Sequence, residues 1–125
     1  MRRIIAASLF LSRLPMLAHH SISGAYYTDQ RIKVEGTLVE FNLRDPHSFV
    51  EVSGKDPKTG APTMFNIEWG SVQRLGRDGI SKDSLKPGDR LVLIGNPSRK
   101  AGDATLHLVG VQRKSDGWKW GRMAE

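Results

Sequence analysis

The sequence predicts an all-β protein, a small OB-like five-stranded barrel with one short helix between strands three and four. Three observations predict it. Thirteen Gly and six Pro in 125 residues favour short strands joined by tight turns over a helical bundle. Apolar residues recur at every second position in several short segments, the period of a half-buried strand. The segments come as three strands, a helical stretch and two more strands, with a first strand long enough to bend, which is the order of an OB-type barrel. A five-stranded sandwich with other connectivity is the alternative.

Strand one starts near Arg31, where Ile32, Val34 and Leu38 alternate with Lys33, Glu35 and Thr37. The apolar phase then shifts to Val39 and Phe41, and Gly36 just before the shift marks where a bulge or bend is expected. Asp45-Pro46 ends the segment as a turn. Strand two spans Ser48 to Ser53 with Val50 and Val52 inward, and Gly54 to Pro62 is a hairpin loop of turn formers. In strand three Phe65, Ile67 and Trp69 alternate with Met64, Asn66 and Glu68. Gly70-Ser71 opens a short helix over Val72 to Leu75, stopped by Gly76 and Gly79. Asp83 to Asp89 turns the chain into strand four, Arg90 to Ile94. Gly95 to Asp103 is a loop before strand five, Thr105 to Val111, and the tail carries Trp118 and Trp120.

The first eighteen residues have the layout of a secretory signal peptide. Arg2 and Arg3 form the positive start, Ile4 to Leu11 an apolar run broken only by Ser8, and Ala18 a small residue at which cleavage is expected. The run falls well short of the ~20 apolar residues of a spanning helix, so no membrane span is expected after the leader is removed. One barrel domain is expected from His19 onward, with residues 19–30 as an N-terminal arm, in the periplasm.

The net charge of +6 is partly a property of the leader, which holds three Arg and no acid. Beyond it sixteen basic residues face thirteen acidic ones, a net of +3, which supports solubility and demands no polyanionic partner. The absence of cysteine excludes disulfides, thiol redox chemistry and thiolate metal sites. Phe49, Trp69, Trp118 and Trp120 with scattered Lys and Arg are the residue types of a single-strand stacking surface. Export argues against nucleic acid as a partner. No nucleophile elbow, phosphate loop or His-Glu-x-x-His pattern is present. Glu68 is a carboxylate without an obvious second one for acid–base work.

The histidines carry the chemical signal. Cleavage after Ala18 leaves a mature chain beginning His19-His20-Ser21, in which a free α-amine and an imidazole on one residue form a bidentate nitrogen ligand. The amine titrates far below lysine, so a metal displaces its proton readily. Nitrogen-only ligation favours Cu(II), with Ni(II) behind it. His47, at a turn-to-strand boundary, is placed to meet the arm, and Asp45 or Glu68 are candidates to support it from behind. His107 lies in strand five. The plainer reading makes His19 and His20 a polar terminus, His47 a turn residue bonded to Asp45, and His107 a packed strand residue.

With these residues laid out, the chain resembles a family of short exported bacterial proteins classed as a domain of unknown function. The resemblance rests on His19-His20-Ser21, Tyr26-Tyr27, Glu35 to Val39, Asp45-Pro46-His47, Glu68 to Ser71, Leu85 to Asp89 and Gly95-Asn96-Pro97. The family pattern usually has Asn before the Pro-His, where this chain has Asp45. The resemblance implies an envelope location and a small β-barrel, and no activity.

The expected function is therefore a non-enzymatic periplasmic barrel that binds a small ligand, Cu(II) foremost, through His19, His20 and His47. One alternative is a structural or adaptor barrel that contacts an envelope protein through a sheet edge or the Trp118–Trp120 tail. Another is a copper-dependent oxidative enzyme, since some oxidative enzymes begin with an N-terminal histidine that chelates copper.

Overall fold

A computed structural model describes residues 22–124. Its elements are β1 (Ile32–Asn42), β2 (Phe49–Lys55), β3 (Pro62–Glu68), α1 (Val72–Arg77), β4 (Arg90–Pro97), β5 (Thr105–Arg113) and β6 (Lys119–Gly121). β1 pairs antiparallel with β2 on one side and β4 on the other, β2 continues to β3, and β4 to β5. A parallel β3–β5 pair closes the ring. Two parallel strands need a crossover between them, and here α1 and β4 supply it. Five strands in this circuit with the helix between β3 and β4 make the OB-like barrel that the sequence predicts.

The alternating positions turn inward as expected. Val34, Val50, Val52, Ile67, Leu93 and Val111 are buried in one cluster, and α1 adds the fully buried Leu75. Ser71 caps α1, its hydroxyl accepting from the Arg74 N–H at 3.2 Å, which satisfies one of the donors a helix start leaves open.

Several details differ from expectation for physical reasons, the helix among them, which runs through Gly76 to Arg77. The irregularity in β1 falls between Leu38 and Glu40, so Val39 is the extra residue and is 44% exposed rather than part of the apolar face. Gly36, where the bend was expected, serves close approach instead: a Cβ there would stand 2.3 Å from the Ser53 carbonyl oxygen. β4 runs past Ile94 to Pro97, because the chain shifts register at Gly95 and continues to pair with β5. The tail forms a sixth strand, β6, on the outer edge of β5.

The arm folds back onto the barrel. Residues 22–25 make one helical turn, Tyr26 bridges Ser98, and the Tyr27 and Arg99 N–H groups donate to the Pro97 and Ala25 carbonyls at 2.9 Å each. The Arg99 guanidinium lies 4.6 Å over the Tyr27 ring. Among the described residues no helix is long and apolar enough to cross a membrane. The expected leader, and His19 and His20, lie outside the described residues.

Candidate functional site

The outward-facing positions of β3 and β5 meet where those strands pair. Glu68 stands opposite His107 in the parallel register, and His107 stands opposite Asn96 in the antiparallel one. The turn between β1 and β2 brings His47 to the same place. Its anchor is Ser48, which is fully buried. The Ser48 N–H donates to the Gly70 carbonyl at 2.9 Å, and its carbonyl accepts from the Trp69 N–H at 2.7 Å. The Ser48 hydroxyl closes the turn against Arg44. His47 Nδ1 thereby lies 3.4 Å from Glu68 Oε1. Asp45 faces elsewhere: its carboxylate accepts from the Val72 N–H at 3.0 Å, tying the turn to the start of α1.

Glu68 is the hub. Its second oxygen accepts the Tyr26 hydroxyl. Burial, and next the bond to Glu68, push the Tyr26 phenol well above its ordinary value, so it stays a donor at any physiological pH. Tyr26 also leans over His107, with ring centroids 5.6 Å apart.

The His107 ring is fixed by a two-step relay. The Asn96 side-chain NH2 donates to the Gln30 carbonyl at 2.8 Å. A carbonyl can only accept, so this sets the amide orientation and turns Asn96 Oδ1 toward His107 Nδ1, 3.1 Å away. An amide oxygen also only accepts, so Nδ1 carries the ring proton and Nε2 has the free lone pair. Burial holds the His107 imidazole below its ordinary value, with Glu68 opposing and Arg74 assisting.

These groups border a cleft of about 210 Å³ on the outer wall of the barrel, whose walls include Ile22, His47, Glu68, Arg74, His107 and Trp120. Trp69 floors it, and its buried Nε1 has no hydrogen-bond partner among the described residues. Trp120 packs edge-on to Trp69 at 5.0 Å, and Trp118 lies under Arg113, so both tail indoles rest on the barrel. A second hollow of about 440 Å³ between the β2–β3 and β4–β5 loops holds no histidine.

The structure thus joins His47 to Glu68, leaves Asp45 one step away, and adds Tyr26, Asn96 and His107. Among the described residues, no three His, Asp or Glu side chains group closely enough to hold a metal ion by themselves. The pairing of Asn96 with His107 depends on a strand register that extends past Gly95, where the sequence reads as a loop.

Fold and site together define an OB-like barrel with a histidine- and carboxylate-bearing cleft on its outer wall. The chain belongs to DUF6152, a family of unknown function, whose pattern matches residues 8–107. No curated protein matches it. Among solved structures it is similar to the mitochondrial single-stranded DNA binding protein Rim1 from S. cerevisiae, at 10% identity and a TM-score of 0.48. That likeness covers 68% of this chain and 93% of Rim1. It is also similar to PriB from Ralstonia solanacearum, at 17% identity and a TM-score of 0.36, over 67% of this chain and 96% of PriB.

Proposed function

We propose that this is an exported, periplasmic small-ligand-binding barrel whose ligand is Cu(II). The metal is held by the α-amine and imidazole of His19, by His20 and by His47, with Glu68 orienting His47 from behind. Asp45 acts one step further out by holding the turn that carries His47.

The observation that carries this reading is that Ile22 and His47 border the same cleft. His19 stands three positions before Ile22 in the sequence, and three residues of extended chain span at most about 11 Å, so the reading asks the terminal nitrogens to act within that reach of Ile22. Nitrogen donors in this number favour Cu(II) over the other divalent ions.

Calorimetric Cu(II) titration of the exported, processed protein tests it, beside a sample with one extra residue before His19. Tight one-to-one binding that collapses with the extension is expected. Binding indifferent to the extension removes the terminal amine from the site, and no binding overturns the reading.

A further inference from the structure

We propose that the cleft on the outer wall binds a small zwitterionic amino acid, Arg74 gripping its carboxylate while Glu68 and His107 Nε2 receive its ammonium group. The inference goes beyond the copper reading and does not rest on it. Every group it uses lies among the described residues, and none is a proposed copper ligand.

Opposite charges face this cleft from two elements. Arg74, in α1, and Glu68, at the end of β3, both border it. The Arg74 side chain lies beside Gly70, where an added Cβ would meet its Cδ at 3.4 Å. Its guanidinium pairs with no carboxylate among the described residues, so its planar fork is available to a ligand carboxylate. Glu68 already accepts from Tyr26 and meets His47. Each carboxylate oxygen has about two acceptor sites, and the Glu68 side chain is 18% exposed, so it takes a further donor without releasing either neighbour. A lone anion here is repelled by Glu68 and a lone cation by Arg74. A dipolar ligand meets a partner at both ends.

His107 sets the direction in which the ligand lies. The Gln30 carbonyl fixes the Asn96 amide, and Asn96 Oδ1 takes the Nδ1 proton. Asn96 is buried, so water competes poorly for that oxygen. Nε2 keeps its lone pair, with no hydrogen-bond partner among the described residues, and the ring borders the cleft. A neutral imidazole in this tautomer accepts from an ammonium at Nε2 and offers nothing there to a carboxylate. The ammonium end therefore lies toward His107 and Glu68, and the carboxylate toward Arg74.

The other walls set the size. Ile22, Leu108 and Trp120 supply apolar surface. The cleft volume of about 210 Å³ holds about seven groups of water size, at ~30 Å³ each, which admits alanine and excludes phenylalanine. At the floor, Trp69 is 3% exposed and its Nε1 has no hydrogen-bond partner among the described residues. Buried donors are ordinarily satisfied, and a carboxylate oxygen that reaches the floor satisfies this one.

The test is NMR titration of the exported, processed protein, with a chelator present to remove metal, reading affinity and location together. The probes are L-alanine, propionate, ethylamine and L-phenylalanine, and alanine is repeated on R74Q and H107F. One-to-one alanine binding is expected, with propionate and ethylamine each about tenfold weaker or worse and phenylalanine not bound. Alanine affinity is expected to fall about tenfold or more in R74Q and about tenfold in H107F. The amides of Gly70 and Arg74 and the Trp69 indole N–H are expected to shift, a readout that holds even if H107F folds poorly. Propionate binding as tight as alanine, unchanged affinity in a folded R74Q, or shifts confined to another face of the barrel overturns the inference. So does the absence of alanine binding, and the copper reading then stands or falls on its own titration. Alanine binding by a protein that takes up no Cu(II) keeps this inference and removes the copper reading.

Discussion

Tyr26 donates its phenolic proton to Glu68, forty-two positions further along the chain. One hydrogen bond thus ties the N-terminal arm to the barrel wall and holds the carboxylate that meets His47. Bonds to charged acceptors contribute more than neutral ones, and this one is shielded by the arm's own packing.

Tyr26→Phe keeps the ring and removes the donor. It is expected to cost about 1.5–3 kcal/mol in denaturant unfolding and to speed protease cleavage near Gly24, in the exposed turn of the arm. Unchanged stability and cleavage would show that backbone pairing alone holds the arm.

Gly36 and Gly76 give opposite outcomes on substitution by alanine. At Gly36 a Cβ meets the Ser53 carbonyl oxygen at 2.3 Å and Val52 Cγ1 at 2.7 Å, so β1 and β2 must separate. A loss of about 2–3 kcal/mol is expected. At Gly76 nothing lies within 4 Å and the residue is helical, so alanine is expected to add about 0.5 kcal/mol. Thermal unfolding of the two variants checks both signs.

Trp120 covers Trp69 and donates from Nε1 to Asp78 at 2.9 Å, pinning β6 to the end of α1. Trp120→Ala is expected to cost about 2–3 kcal/mol and to shift tryptophan emission to the red as water reaches Trp69. An unshifted spectrum would mean that the floor of the cleft does not depend on β6.

Hydrogen bonds hold three loop carboxyls below their ordinary value. Asp103 accepts from the Thr105 hydroxyl and N–H and from Ser98, and these bonds hold it below the usual carboxylate value. The N–H groups of Lys58 and Thr59 do the same for Asp56, and Arg113 foremost does so for Asp116. A carboxyl with a lower value folded than unfolded stabilises the fold above its unfolded value, and that contribution fades as the pH drops through the folded one. Asp103→Asn is therefore expected to be less stable than wild type above about pH 4, with the difference closing in stronger acid. A gap that stays constant across stepped-pH denaturation would show that the charge of Asp103 is irrelevant to its bonds.

The barrel was legible wherever one face of a strand is buried, since Val50 and Val52, or Phe65 and Ile67, state their direction by alternation. β6 was not, because three residues, Lys119–Gly121, are too few to show a period and pair only where β5 offers an edge. The bulge at Val39 was misplaced toward Gly36 because a glycine signals several things, and the close contact with Ser53 exists only once β2 is in place. At the site, His47 and Glu68 were visible as residue types at element ends. Tyr26 and Asn96 were visible only as parts of the family pattern, because their roles lie in partners brought near by registers that do not follow sequence order.

The circuit of pairings divides the barrel into a meander of β1, β2 and β3 and a hairpin of β4 and β5, joined along the β1–β4 and β3–β5 seams. Each part forms by contacts local in sequence, while the seams require distant segments to meet, the slower step in folding. Glu68 and the turn with His47 belong to the meander, Asn96 and His107 to the hairpin, so the cleft straddles a seam. A ligand bound there is a clasp between two halves that assemble late. Contacts absent until the halves have docked slow unfolding more than they speed folding. Loading the cleft is thus expected to lengthen the lifetime of the folded barrel while leaving its rate of assembly nearly unchanged.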